Sequence, residues 1–179
     1  MELKELLELS HQSYKDNGFW DDYDQIKDIM KSNSNIFSKE QVEQVKYAFI
    51  SQKLSLIQKE ISDSLNSLRI GKNYKGGKEN LDKLYDLFKN PLQESSDPYM
   101  YFRGAYMTHV KDTFEDEIAT AFIKLCDLCE KIDLDVEKFI KLKLQFNKTR
   151  NMNYHYTKDV VVSGSFNPSF LTFHRQDAS

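Results

Sequence analysis

The chain is predicted to be all-α. Its 179 residues include only 6 Gly and 3 Pro, too few for a fold built on many tight turns. Apolar residues keep helical spacing for about five turns over 49–68: Phe49/Ile50, Leu54, Ile57, Ile61, Leu65 and Leu68. A second stretch, 112–150, reads as two helices joined by a short turn near 131–135. These observations imply a bundle of four or five core helices with an inserted segment and an extended C-terminal tail.

Residues 2–15 suit a short amphipathic helix with Leu3, Leu6 and Leu7 on one side. Asn17-Gly18 stops it, because Gly accepts the left-handed conformation just past a helix. Phe19 and Trp20 follow at once. A lone Trp there reads first as a core anchor and second as an aromatic wall for a nucleotide base. Tyr23, Ile26 and Ile29/Met30 suggest another short helix. Ser38, with Gln41 three residues on, forms a capping box that opens the long helix. Gly71 closes it.

The region 70–110 is the least regular. Its loop KNYKGGK, 72–78, is basic and glycine-bearing but lacks the ending of a P-loop, so it reads as a solvated loop. A short helix is expected over 80–89, and the Tyr-rich run 99–106 is expected to pack over the bundle or cover a pocket. The region is too short to bury a core of its own and reads as an insertion. In 112–150, Ile118, Phe122, Leu125 and Cys129 form one apolar stripe, and Phe139, Leu142 and Phe146 another. Lys143, Asn147 and Arg150 share a side of the last helix. In the tail, 160–163 and 170–173 have strand-like composition and suit a small hairpin or an arm on a partner subunit.

Composition excludes several classes. The net charge of −3 argues against nucleic acid and anionic membranes. No apolar run approaches the ~20 residues of a spanning helix. No secretory leader follows the N-terminus, so a cytoplasmic protein is expected. Cys126-x-x-Cys129 sits mid-helix without further ligands and reads as two buried thiols, not a zinc or redox site. The four histidines are scattered.

Four segments together resemble the MazG-like all-α nucleoside triphosphate pyrophosphohydrolases. They are GFWD at 18–21, KLSLIQKEISDSLNSLR at 53–69, DTFEDEIATAFIKLCDLCE at 112–130 and FIKLKLQFNKTR at 139–150. They occur in the family's order and cover about a third of the chain. The resemblance implies one helical domain over 1–179, with 70–110 inserted and 159–179 as a tail, and a homo-oligomer. It implies that Glu60, Asp63 and Glu117 bind Mg²⁺, with Mn²⁺ as the alternative ion, and that Glu60 and Glu117 are catalytic. Hard divalent ions favour such oxygen ligands one helical turn apart.

Thr120 stands where the family has a fourth acid, which leaves the motif degenerate and the turnover weakened or lost. Asp127 is the candidate to compensate, because 117, 120, 124 and 127 lie on one broad helix face. Lys53, Lys143 and Arg150 are implied to neutralise phosphates, Asn147 to orient a phosphate or sugar, and Trp20 to face the base. The implied substrate is a nucleoside triphosphate, cleaved to monophosphate and pyrophosphate. By spacing alone, Glu60 and Asp63 read as a solvated face. A non-catalytic nucleotide- or metal-binding protein and a helical interaction module are therefore the competing readings.

Overall fold

A computed structural model describes residues 1–91 and 97–153, with side chains to residue 149. The described residues form seven helices and no strand. They are α1 (Leu3–Asp16), α2 (Asp21–Ser32), α3 (Lys39–Arg69), α4 (Gly77–Lys89), α5 (Met100–His109), α6 (Phe114–Lys131) and α7 (Val136–Asn153). The all-α expectation holds. The hairpin expected at 160–163 and 170–173 lies outside the described residues. No described helix is long and apolar enough to cross a membrane.

The chain divides into two compact units at the junction of Asp135 and Val136. In the first, α3 packs on α6, α6 on α1 and α2 on α3, while α4 and α5 pack together. The second contains α7.

The local signals act as their chemistry requires. The hydroxyl of Ser38 accepts from the Gln41 N–H, and the Gln41 side chain accepts from the Ser38 N–H, so the capping box is complete. Thr113 caps α6 by accepting from the Asp116 N–H. Gly18 takes a φ of +71°, and a Cβ there would lie 2.9 Å from an Asp21 oxygen, so the stop after α1 needs a glycine. α4 begins at Gly77, earlier than expected, because Gly77 itself adopts a φ of +66° and ends the loop. The Tyr-rich segment becomes α5 and packs on α4, with Phe102 5.5 Å and Tyr99 6.1 Å from Phe88 between ring centres. Cys126 and Cys129 are buried free thiols, and burial raises both pKa values.

The core corrects the expected burial pattern. Trp20, Ile57, Ala121 and Leu128 form its centre, with Phe19, Tyr23, Ile50 and Ile132 packed against them. On α3 the buried residues are Lys53, Ile57, Ser64 and Ser67. The predicted stripe of Leu54, Ile61, Leu65 and Leu68 is about half exposed instead, roughly a quarter-turn around the helix from the buried face. On α6, Ile118, Phe122 and Leu125 are exposed, and only Cys129 of that stripe is buried.

Asp127 is the most deeply buried large side chain, 1% exposed. The Trp20 indole N–H donates to both its oxygens at 2.8 and 3.1 Å. His11 Nδ1 lies 2.8 Å from Oδ1, and an ionised carboxylate only accepts, so that nitrogen carries the proton. Removing one partner from such a buried cluster is costly, because the others lose water and gain nothing. Asp127→Ala should therefore lower unfolding free energy by about 3–5 kcal/mol. Denaturant titration measures this, and a loss below about 1 kcal/mol would rule out the structural role.

Candidate functional site

Glu60 lies on the buried face of α3, and Asp63 follows one turn later at its edge. Glu117 comes from the first turn of α6. One carboxylate oxygen from each of the three lies within 4.8 Å of the others. Asp112, Asp116 and Glu117 form an adjoining group of the same kind. Glu117 belongs to both, so it joins the α3 acids to the start of α6.

Three like charges this close cannot all ionise without neighbours to offset them. Two ammonium groups supply part of that. Lys124 donates to Glu60 at 2.6 Å, with both side chains mostly buried. Lys59 donates to Asp63 at 2.5 Å on the exposed side. Burial works to raise the Glu60 pKa. The hydrogen bonds from Lys124 and Glu117 and the charges of Lys124 and Lys59 outweigh it, and the value is lowered. Glu117 is raised by burial, then by the hydrogen bond it shares with Glu60 and by the Glu60, Asp116 and Asp63 charges. Of the two, Glu117 is the one that burial and its acidic neighbours push towards the protonated form.

The adjoining group is also partnered. Asp116 accepts from the Tyr106 hydroxyl and from the Asp112 N–H at 2.9 Å. Burial and the bond to Asp116 raise the Tyr106 pKa. Lys72 lies 3.3 Å from Asp112. The three carboxylates of the first group remain the better divalent site. They come from two helices, lie partly buried, and leave Asp63 open to solvent on one side.

The other expected residues are distributed elsewhere. Asp127 belongs to neither acidic group, since Trp20 and His11 occupy its oxygens. Trp20 is 2% exposed and sits in the core with its indole N–H used. Lys53 is buried. Its ammonium donates to the Phe19 carbonyl at 2.6 Å and lies over the Phe19 and Trp20 rings at 3.3 and 4.6 Å. Desolvation lowers its pKa, which fits an internal brace between α3 and the α1–α2 connection. Thr120 is half-buried on α6, between Glu117 and Lys124 in sequence. Lys143 and Asn147 are exposed on α7. Arg150 falls in the same helix, its side chain outside the described part.

Lys124 is a site residue that the sequence pattern does not single out. Its place on the face shared by 117, 120 and 127 was legible. Its pairing across to α3 was not, because periodicity says nothing about what stands opposite. The fold and site define an all-α protein with a partly buried carboxylate group between two long helices. Comparison with family models, curated proteins and solved structures finds no match to the chain.

The raised Glu117 pKa has a definite sign. The folded state holds that proton more tightly than the unfolded chain does. The contribution is full below the unfolded pKa and is lost as pH rises through the folded one. Glu117→Gln keeps an uncharged donor beside Glu60. In metal-free buffer at pH 8 it should raise the melting temperature by about 2–4 °C per kcal/mol gained, and the difference should vanish towards pH 4. Added Mg²⁺ should reverse the order by stabilising only the wild-type site. Equal melting temperatures at pH 8 would show that the carboxylates do not oppose one another.

Proposed function

We propose that the chain is a Mg²⁺-dependent nucleoside triphosphate pyrophosphohydrolase, releasing nucleoside monophosphate and pyrophosphate. One observation supports this above the rest. Glu60 and Asp63 of α3 meet Glu117 of α6 within 4.8 Å, although the helices are far apart in the chain. A divalent cation needs two or three oxygen ligands around one point, and these three acids supply them from two helices.

In this reading Glu60, Asp63 and Glu117 hold the ion. Mg²⁺, with Mn²⁺ as alternative, supplies polarisation of phosphoryl oxygens and a more acidic bound water. Glu60 is the standing anion, kept ionised by Lys124. Without metal Glu117 is the acid whose pKa is raised; on binding the ion it would give up that proton and serve as an oxygen ligand. Lys124 also places a positive charge beside the group, where it can neutralise the polyphosphate. Lys143, Asn147 and Arg150 belong to the second unit, and a phosphate or sugar role for them rests on the resemblance alone. Lys53, Trp20 and Asp127 act instead by bracing the helices that carry the site.

A specific observation favours a second reading, a non-catalytic nucleotide- or metal-binding protein. Two of the three acids already carry ammonium partners, and Thr120 supplies no fourth charge. Pyrophosphate release across standard and modified triphosphates, with Mg²⁺ or Mn²⁺, separates the two. The enzyme should release pyrophosphate, and Glu60→Gln and Glu117→Gln should each reduce the rate on the order of 100-fold, about 2.7 kcal/mol of barrier. Thr120→Asp should raise the rate of a weakened enzyme. Nucleotide-induced stabilisation without release in any variant would favour the binder.

Exposed apolar side chains on α3 and α6 support a homo-oligomer. The outward stripe of α3 carries Leu54, Ile61, Leu65 and Leu68, and α6 exposes Ile118, Phe122 and Leu125. Large apolar side chains left exposed along two helices suit an interaction face. Sedimentation velocity should give a species larger than the 21.1 kDa chain. Ile61→Lys with Leu65→Lys should return it to that mass with unchanged helicity. A monomeric wild type would remove the proposal.

A further inference from the structure

The loop 72–78 is not a free solvated loop. The Tyr74 N–H donates to Glu115 at 2.9 Å, and the Lys72 carbonyl accepts from the Phe114 N–H at 3.0 Å, so it is held against the start of α6. Between this loop, α4 and α5 lies a half-open cavity of about 600 Å³. A shallower one of about 400 Å³ adjoins it, and Asn73, Lys75, Thr108 and His109 line both. The first volume falls within the usual range for small-molecule sites.

The lining is one-sided in charge. Among the described residues, Lys72, Lys75, Lys83, Lys111 and His109 line the two cavities and no carboxylate does. That is unexpected in a chain with more acids than bases. Lys72 and Lys83 pair with Asp112 and Glu79 at the margins, at 3.3 and 2.8 Å. Lys75 and Lys111 have no acidic partner among the described residues. Leu84, Leu87 and Ala105 give the larger cavity an apolar wall.

Three further features fit an anionic ligand. The N-terminus of α4 borders the cavity through Gly76 and Asn80, and Gly76 provides no side-chain cap for its N–H groups. A Cβ at Gly76 would lie 2.4 Å from the Tyr74 hydroxyl oxygen, so any larger residue there would displace the tyrosine ring. The Tyr74 hydroxyl, a donor, is buried without a hydrogen-bond partner among the described residues. So is the Asn73 Oδ1, an acceptor suited to a base or sugar and not to a phosphate. Such groups are rare in a finished polar network, and each favours a small rearrangement that pairs it.

We propose that this groove binds a phosphorylated small molecule of nucleotide size. Its phosphates sit where Lys75 and His109 line both cavities, and its less polar part lies on Leu84, Leu87 and Ala105. Ammonium groups without partners bind phosphate oxygens through charge-assisted hydrogen bonds. The amides of Asn73 and Asn80 offer donors and acceptors for a base or sugar. The site needs no divalent cation, because its positive charge comes from the protein. It is therefore separable from the carboxylate group, whatever that group does.

Isothermal titration tests this in metal-free buffer prepared over chelating resin, with inorganic pyrophosphate and the four ribonucleoside triphosphates as probes. Without metal, the carboxylate group repels all of them. At least one probe should bind saturably at one site per chain. Lys75→Ala with Lys111→Ala should weaken that binding at least tenfold. Both side chains are exposed and unpartnered, and circular dichroism checks that the variant stays folded. Glu60→Gln should bind as the wild type does. Absence of saturable binding, or equal binding by the lysine variant, overturns the proposal. Loss of binding in Glu60→Gln alone would place the ligand at the carboxylates and equally overturn it.

Discussion

The hydrogen bonds that Trp20 and His11 direct onto Asp127 are the constraint on which the first unit depends. A carboxylate with 1% exposure has lost nearly all its water. An ion there costs several kcal/mol unless donors surround it. The donors come from two places that only tertiary structure joins to α6: the last turns of α1 and the turn before α2. Lys53 of α3 ties the third side, bonding the carbonyl of Phe19 next to that same Trp20. The helices bearing the candidate site are thus located by one polar cluster inside an apolar shell.

That arrangement explains the rotation of α3. A helix with a long apolar stripe is expected to bury it. Here the inward face carries Lys53, Ile57, Glu60, Ser64 and Ser67. The serines are small enough for close approach, and their hydroxyls find backbone partners, Ser64 on Ile61 and Ser67 on Asp112. The rotation brings Glu60 inward to Lys124 and Glu117, and it sends four large aliphatic side chains outward. The site and the exposed face are two results of one choice of helix orientation.

The unit also separates its charges. Carboxylates gather at the α3–α6 contact, and cations gather in the groove made by the 70–110 segment. The basic loop is hydrogen-bonded to Glu115 and Phe114, so the two regions meet at the N-terminus of α6. A segment that reads as an insertion in the sequence supplies a cavity of about 600 Å³.

The helices were legible because their signals are local. Ser38 and Gln41 close a capping box within one turn, Gly18 and Gly71 take the left-handed conformation that stops a helix, and few prolines interrupt the rest. The candidate acids were legible too, as residues of the right type one turn apart. The sequence by itself settled that the chain is helical, where most helices lie and which residues share a helix face, but not that the Tyr-rich run is α5. Tertiary structure alone decided which face turns inward, that Asp127 serves Trp20, and that Lys124 meets Glu60. Periodicity sets a residue's angle on its own helix. The angle between helices is set by close packing and by the need of each buried charge for a partner, and those partners lie far away in the chain.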